Sequence, residues 1–188
     1  MGMSTSRKYW TAAEIDALPA DGYRYEVIDG ERIVTPSPSQ LHQKAVVRLA
    51  ALLLPLCDAV RARLTIAPSD VKFSASDQVQ PDLYVTARPS AGALVTHFTD
   101  IRRLLLAVEV LSPSSAHTDR VTKRMLYQAN GVPEYWIVDT DACKVERWTP
   151  KSLQAELVSA TLAWQLVGAN GPTIRIDLMA YFRSVLGV

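Results

Sequence analysis

Apolar positions between Leu41 and Leu56 fall at Leu41, Ala45, Val46, Leu49, Leu52, Leu53 and Leu56, a spacing that draws one stripe along a helix and predicts its burial against a sheet. Ser37-Pro38-Ser39-Gln40 opens that helix, with Ser37 as cap, Pro38 in the first helical position and Gln40 completing a capping box; Pro55 limits its end. Ahead of it, Thr11 to Leu18 predicts a short helix stopped by Pro19. YRYEVIDGERIVTP then reads as two strands about Asp29-Gly30, a tight-hairpin signal. Beyond the long helix the pattern turns strand-like near Ala62–Ala67, Val71–Ser74 and Asp82–Thr86, then loop-like from Ala87 to Thr99. Leu104–Leu111 (LLLAVEVL) is a nearly continuous apolar run, as in a strand covered on both faces. Ser114 or Ser115 caps a helix running to about Asn130, where Gly131 supplies a left-handed stop. EYWIVD (Glu134–Asp139) is a further strand, Lys144–Thr149, Gln154–Val158 and Leu162–Val167 form a hairpin-rich end, and Leu178–Leu186 is a last helix. This mixed order predicts an α/β or α+β layer, with helices packed on a central sheet.

A length of 188 residues suits one domain, spanning 1–188. Apolar residues at 48% and charged residues at 21% exclude a disordered chain. Twenty Lys and Arg against 19 Asp and Glu leave a net charge of +1, so bulk charge does not drive binding to polyanions. Cys57 and Cys143 make neither a disulfide framework nor a zinc site and read as reduced thiols of a cytoplasmic protein. No apolar run reaches the ~18 residues of a membrane span, and the first ten residues hold no apolar signal region.

Glu109 is the residue that apolar patterning does not explain. It sits inside LLLAVEVL, where an ionised carboxylate loses hydration at a cost of several kcal/mol unless paired or bound to a cation. It either reaches water or an Arg at a strand end, or it faces a metal at the sheet edge. Asp82, in VQPDLYV, is a second such acid; Leu83 and Val85 point to one face and Asp82 with Tyr84 to the other. Alone it is an ordinary acid at a strand start, but two carboxylates on adjacent strands suit magnesium, which takes one or two and fills its other positions with water and phosphate. Asp119, Lys123 and Tyr127 recur every four residues along one side of the next helix, with Val121, Met125 and Ala129 as its buried stripe. A Lys at the border of that stripe can reach the acids and orient water; the alternative is a solvated Asp119–Lys123 pair worth about 0.3–0.5 kcal/mol.

YRYEVIDGE, PSPSQLHQ, QPDLYV, VEVLSPSS with Asp119 and Lys123, and GVPEYWIVD occur in this order. The set, spanning about Tyr23 to Trp148, resembles the Uma2 family, bacterial restriction-endonuclease-like proteins of the PD-(D/E)XK nuclease superfamily. The resemblance implies a mixed sheet between helices, with the active acids on neighbouring strands. Pro81-Asp82 matches the PD element and Glu109 the second acid. Leu111 stands where the superfamily motif has Lys, and Lys123 on the following helix matches the displaced lysine. The Val110 carbonyl is then an additional metal ligand. Glu26 matches a family glutamate and either joins the metal site or pairs with Arg24 or Arg32. Tyr127 resembles a helix tyrosine of related nucleases, and His42 matches a family position where it contacts phosphate or simply caps and packs.

The remaining polar candidates are weaker. His97 and His117 suit solvated loop or helix-start settings. Ser112-Pro113-Ser114-Ser115 lacks a Gly-x-Ser-x-Gly turn, so capping accounts for its serines. No phosphate-cradling glycine loop is present, and Trp10, Trp136, Trp148 and Trp164 suit packing. The expectation is a Mg2+- or Mn2+-dependent endonuclease acting on nucleic acid, with DNA the expected substrate. Asp82 and Glu109 hold the metal and Lys123 positions water, and the near-neutral net charge implies modest, salt-sensitive binding unless basic residues such as Arg61, Arg63, Arg120 and Arg124 gather on one face. The alternatives are a binding or assembly module without turnover, and a homodimer built on Gln154–Val167.

Overall fold

The computed structural model describes residues 8–87, 104–166 and 171–188. A short helix α1 (Ala12–Asp16) leads into the hairpin β1 (Arg24–Ile28) and β2 (Glu31–Thr35). The long helix α2 (Gln40–Ala59) follows, then β3 (Ala62–Ile66), β4 (Val71–Ser74), β5 (Asp77–Val79), β6 (Leu83–Ala87) and β7 (Leu104–Val110). A π-helical stretch, Thr118–Lys123, passes directly into α3 (Arg124–Ala129). The chain ends with β8 (Tyr135–Asp139), β9 (Lys144–Trp148), β10 (Glu156–Val158), β11 (Thr161–Gln165), β12 (Thr173–Asp177) and α4 (Leu178–Leu186).

The central sheet has the order β10-β9-β8-β7-β6-β3, and its one parallel pair is β7 with β8. A parallel pair cannot be closed by a tight turn and needs a crossover. The π turn and α3 are that crossover, so the chain leaving Glu109 returns over the same sheet face and lays Lys123 above it. Alternation along β6 and β7 sorts the two faces. Leu83, Val85, Leu106, Val108 and Val110 pack with Leu49 and Leu53 of α2, while Tyr84, Leu104 and Ala107 pack with Tyr127 and Tyr135 on the opposite face. A second sheet, β2-β1-β5-β4, covers that opposite face through Ile28, Val71 and Val79. The hairpin β11–β12 brings Trp164 edge-on to Trp136, at 5.4 Å between ring centroids.

Several expectations are corrected. The cap of α2 is Ser39, which accepts from the His42 N–H; Ser37 donates instead to the Gly22 carbonyl. Pro55 lies inside α2 rather than limiting it, and Leu41 and Leu52 are exposed while Ala45, Val46, Leu49, Leu53 and Cys57 are buried. Ser112 and Ser115, not Ser114, bond reciprocally at the start of the crossover. There the expected stripe is inverted: Asp119, Lys123, Leu126 and Tyr127 are buried, whereas Val121 and Met125 are exposed. Ion pairing offsets the desolvation of the inward charges, so charge rather than hydrophobicity sets that face. β5 and β12 have no counterpart among the expected strands. The loop expected after Ala87, and His97 within it, lie outside the described residues. Among the described residues no helix is long and apolar enough to cross a membrane. Both cysteines are free.

Candidate active site

Asp82 sits immediately before β6, at the sheet end where β7 finishes, and is 3% exposed. Three donors converge on it. Arg24 Nη1 lies 2.9 Å from Oδ1, while His42 Nε2 at 2.9 Å and the Val110 N–H at 2.8 Å meet Oδ2. Each donor comes from a different element: β1, the first turn and a half of α2, and the last residue of β7. Burial opposes ionisation of Asp82, but His42, Arg24 and the Val110 N–H outweigh it and hold the carboxyl down at about 2.

Glu109 and Lys123 form the second half of the site. Lys123 Nζ lies 2.9 Å from Glu26 Oε1, 3.0 Å from Glu109 Oε1 and 3.7 Å from Asp119 Oδ1, and every member of the cluster is buried. Tyr127 donates to the same Glu109 oxygen at 3.4 Å. Burial alone would lower the Lys123 pKa, but Glu109, Glu26 and Asp119 more than reverse this and keep the amine protonated. Burial also raises the Glu109 carboxyl well above its ordinary range, against the pull of Lys123 and with the help of Asp82, Asp119 and Glu26. Three acids share one ammonium in this dry setting, and their crowding adds to burial in favouring the protonated form of Glu109.

Asp82, Glu109, Val110, Asp119 and Lys123 line one cavity of about 210 Å³. The segments Thr35–Ser39, ahead of α2, and Ser112–Ser115, ahead of the crossover, also line it, as do Arg24 and His42. Glu26 does not: it turns to Lys123 and accepts the Gln80 N–H at 2.8 Å. Its expected partners are engaged elsewhere, Arg24 with Asp82 and Arg32 over the Trp10 ring. The expected solvated Asp119–Lys123 pair is buried. Sequence reasoning missed Arg24 as the partner of Asp82, because no local signal links residues 58 positions apart.

Among the described residues no group of three or more His, Cys, Asp and Glu side chains is gathered into a ready metal site. The donor set expected for a cation here is smaller, two carboxylates and a carbonyl, and its chemistry fits a hard ion that keeps most of its waters. A carboxylate has about four acceptor positions, and three donors on Asp82 leave room for another partner. Both donors to Glu109 use Oε1. Glu26 Oε2 and Asp119 Oδ1 are buried without hydrogen-bond partners. The arginines whose gathering on one face would tighten binding are engaged elsewhere or remote from Asp82. Arg120 pairs with Asp139 and Glu146, Arg124 stacks on Trp148, and Arg61 and Arg63 lie toward the end of β3 remote from Asp82.

Comparison with known proteins agrees with this architecture. A solved structure from Anabaena variabilis ATCC 29413, described as "a putative nuclease belonging to DUF820", superposes with a TM-score of 0.77 over 93% of this chain and 98% of that one, at 18% identity. At that identity the likeness establishes the fold, a nuclease fold of mixed sheets flanked by helices. No curated protein matches the sequence significantly. The profile of the family described as "Uma2: Putative restriction endonuclease" matches residues 12–176, from α1 to β12 and across every element of the cavity, and the chain therefore belongs to the Uma2 family.

Proposed function

We propose that this protein is a metal-dependent endonuclease that hydrolyses phosphodiester bonds in DNA. The observation carrying this reading is that Asp82 just before β6, Glu109 in β7 and Lys123 in the crossover helix border one cavity in a chain of a nuclease family. Mg2+ or Mn2+ would be held by Asp82, Glu109 and the carbonyl of Val110. A bound cation supplies charge neutralisation at the phosphate and a lowered pKa for coordinated water.

The protein's own groups do the rest. Lys123 stays protonated, so it donates: it orients a water by its N–H groups and offsets charge on the phosphate, and it does not act as a base. Glu26, outside the cavity lining, and Asp119, within it, hold the amine in place. Arg24 and His42 fix the Asp82 carboxylate, whose rotation would otherwise carry its oxygens away from the cavity.

Supercoiled plasmid and oligonucleotide incubated with the full chain and Mg2+ or Mn2+ test the reading. Cleavage is expected, and Asp82→Ala or Glu109→Ala should lower it by about 100-fold or more. Cleavage that survives both substitutions excludes this site. Binding by the wild type without cleavage favours the assembly-module reading, for which Leu111 at the motif's lysine position is the sequence argument.

A further inference from the structure

The acids stand at the bottom of a small recess rather than along an open channel. Asp82 and Glu109 are 3% and 2% exposed, and Lys123 is 3% exposed. The recess measures about 210 Å³, below the roughly 300–1,000 Å³ of pockets that enclose a drug-sized ligand. Two Ser- and Pro-rich segments, Thr35–Ser39 and Ser112–Ser115, stand on its rim. A base-paired strand carries its phosphates on a stiff helix, whereas an unpaired strand can bend to project a single phosphate into a narrow recess.

Charge points the same way. Among the described residues, the Arg and Lys side chains lining the recess are Arg24 and Lys123, and both are already ion-paired with buried acids. Proteins that grip duplex DNA neutralise about 6–10 phosphates with such side chains. Arg120 is engaged with two acids, and Arg61 and Arg63 lie toward the other end of the sheet edge. The two rim segments add no charge: their residues are Ser, Pro and Thr, and Ser37 already donates to the Gly22 carbonyl and Ser112 to Ser115.

We propose, resting on the nuclease reading above, that the substrate is unpaired nucleic acid: a single strand or the arm of a flap, bent so that one phosphate enters the recess between the two rims. The strand is held mainly at that phosphate, and a base-paired segment must first open to be cut.

The test uses the full chain with Mn2+ and one oligonucleotide sequence prepared as single strand, perfect duplex and duplex with an unpaired arm. Single strand and arm should be cut about tenfold or more faster than duplex, because only the duplex must unpair first. Affinity for the single strand should fall less than about tenfold between about 50 and about 200 mM salt, as for one or two neutralised phosphates. Ser114→Trp, on the exposed rim, should slow single-strand cleavage about tenfold or more with an unchanged melting temperature. Duplex cut as fast as single strand, or a Ser114→Trp protein that melts normally and cuts normally, overturns the inference and leaves the nuclease reading standing. Failure of the wild type to cut any of the three, or cleavage unaffected by Asp82→Ala, overturns the nuclease reading and this one with it.

Discussion

At Asp82 two opposing effects meet on one carboxylate. Burial penalises its charge, and three donors from three elements more than compensate, leaving it at about 2 against an ordinary 3.8. A depressed acid stabilises the folded state fully above its unfolded value, and that contribution disappears as pH falls through the folded value. Thermal melting between pH 4 and 2 should therefore show a steep loss of stability that Asp82→Asn flattens; an unchanged acid limb in the variant would contradict the triple anchoring. The two acids were legible in the sequence because a carboxylate in or beside an apolar strand has to be accounted for. Their partners were not, since Arg24 and His42 lie 58 and 40 residues from Asp82 and only the folded chain joins them. Glu26 was visible as a candidate, but its ties to Lys123 and the Gln80 N–H depend on how β1 stands against the crossover helix.

Elements with strong local signals are where sequence and structure agree best. The β1–β2 hairpin turns at Asp29-Gly30, both at positive φ, and it carries Arg24 and Glu26 to the site. Gly30 has a second constraint: a Cβ there would meet the Tyr9 ring at 2.1 Å. Gly30→Ala should thus cost about 1 kcal/mol or more, read by chemical denaturation, and a neutral result would show that the turn does not need the left-handed conformation. Local signals were insufficient for the crossover. Its sequence reads as a helix with Val121 and Met125 inward, yet the π turn and the carboxylates around Lys123 rotate the charged side inward. Likewise, Ser37 reads as the cap of α2, but its hydroxyl donates to the Gly22 carbonyl and Ser39 takes the cap.

Across the whole molecule, three sheets share their faces instead of forming separate bodies. β11–β12 brings Trp164 and Ile176 into the core of α2 and the central sheet, and the second sheet closes the other face. Strand β12 escaped sequence reading because its five residues offer only Ile174 and Ile176 as pattern. On the proposal that 1–188 is one domain, urea unfolding followed by tryptophan fluorescence and by circular dichroism should give one coincident transition. Trp164→Ala should shift that transition by about 3–5 kcal/mol, whereas two separated transitions would mean independent units. The acids at the cavity floor are tested most directly by titrating Mn2+ calorimetrically into the full chain. The wild type should bind one ion, and Asp82→Asn and Glu109→Gln should each weaken that binding about tenfold or more. Equal affinity in all three proteins would contradict a cation held between these two carboxylates.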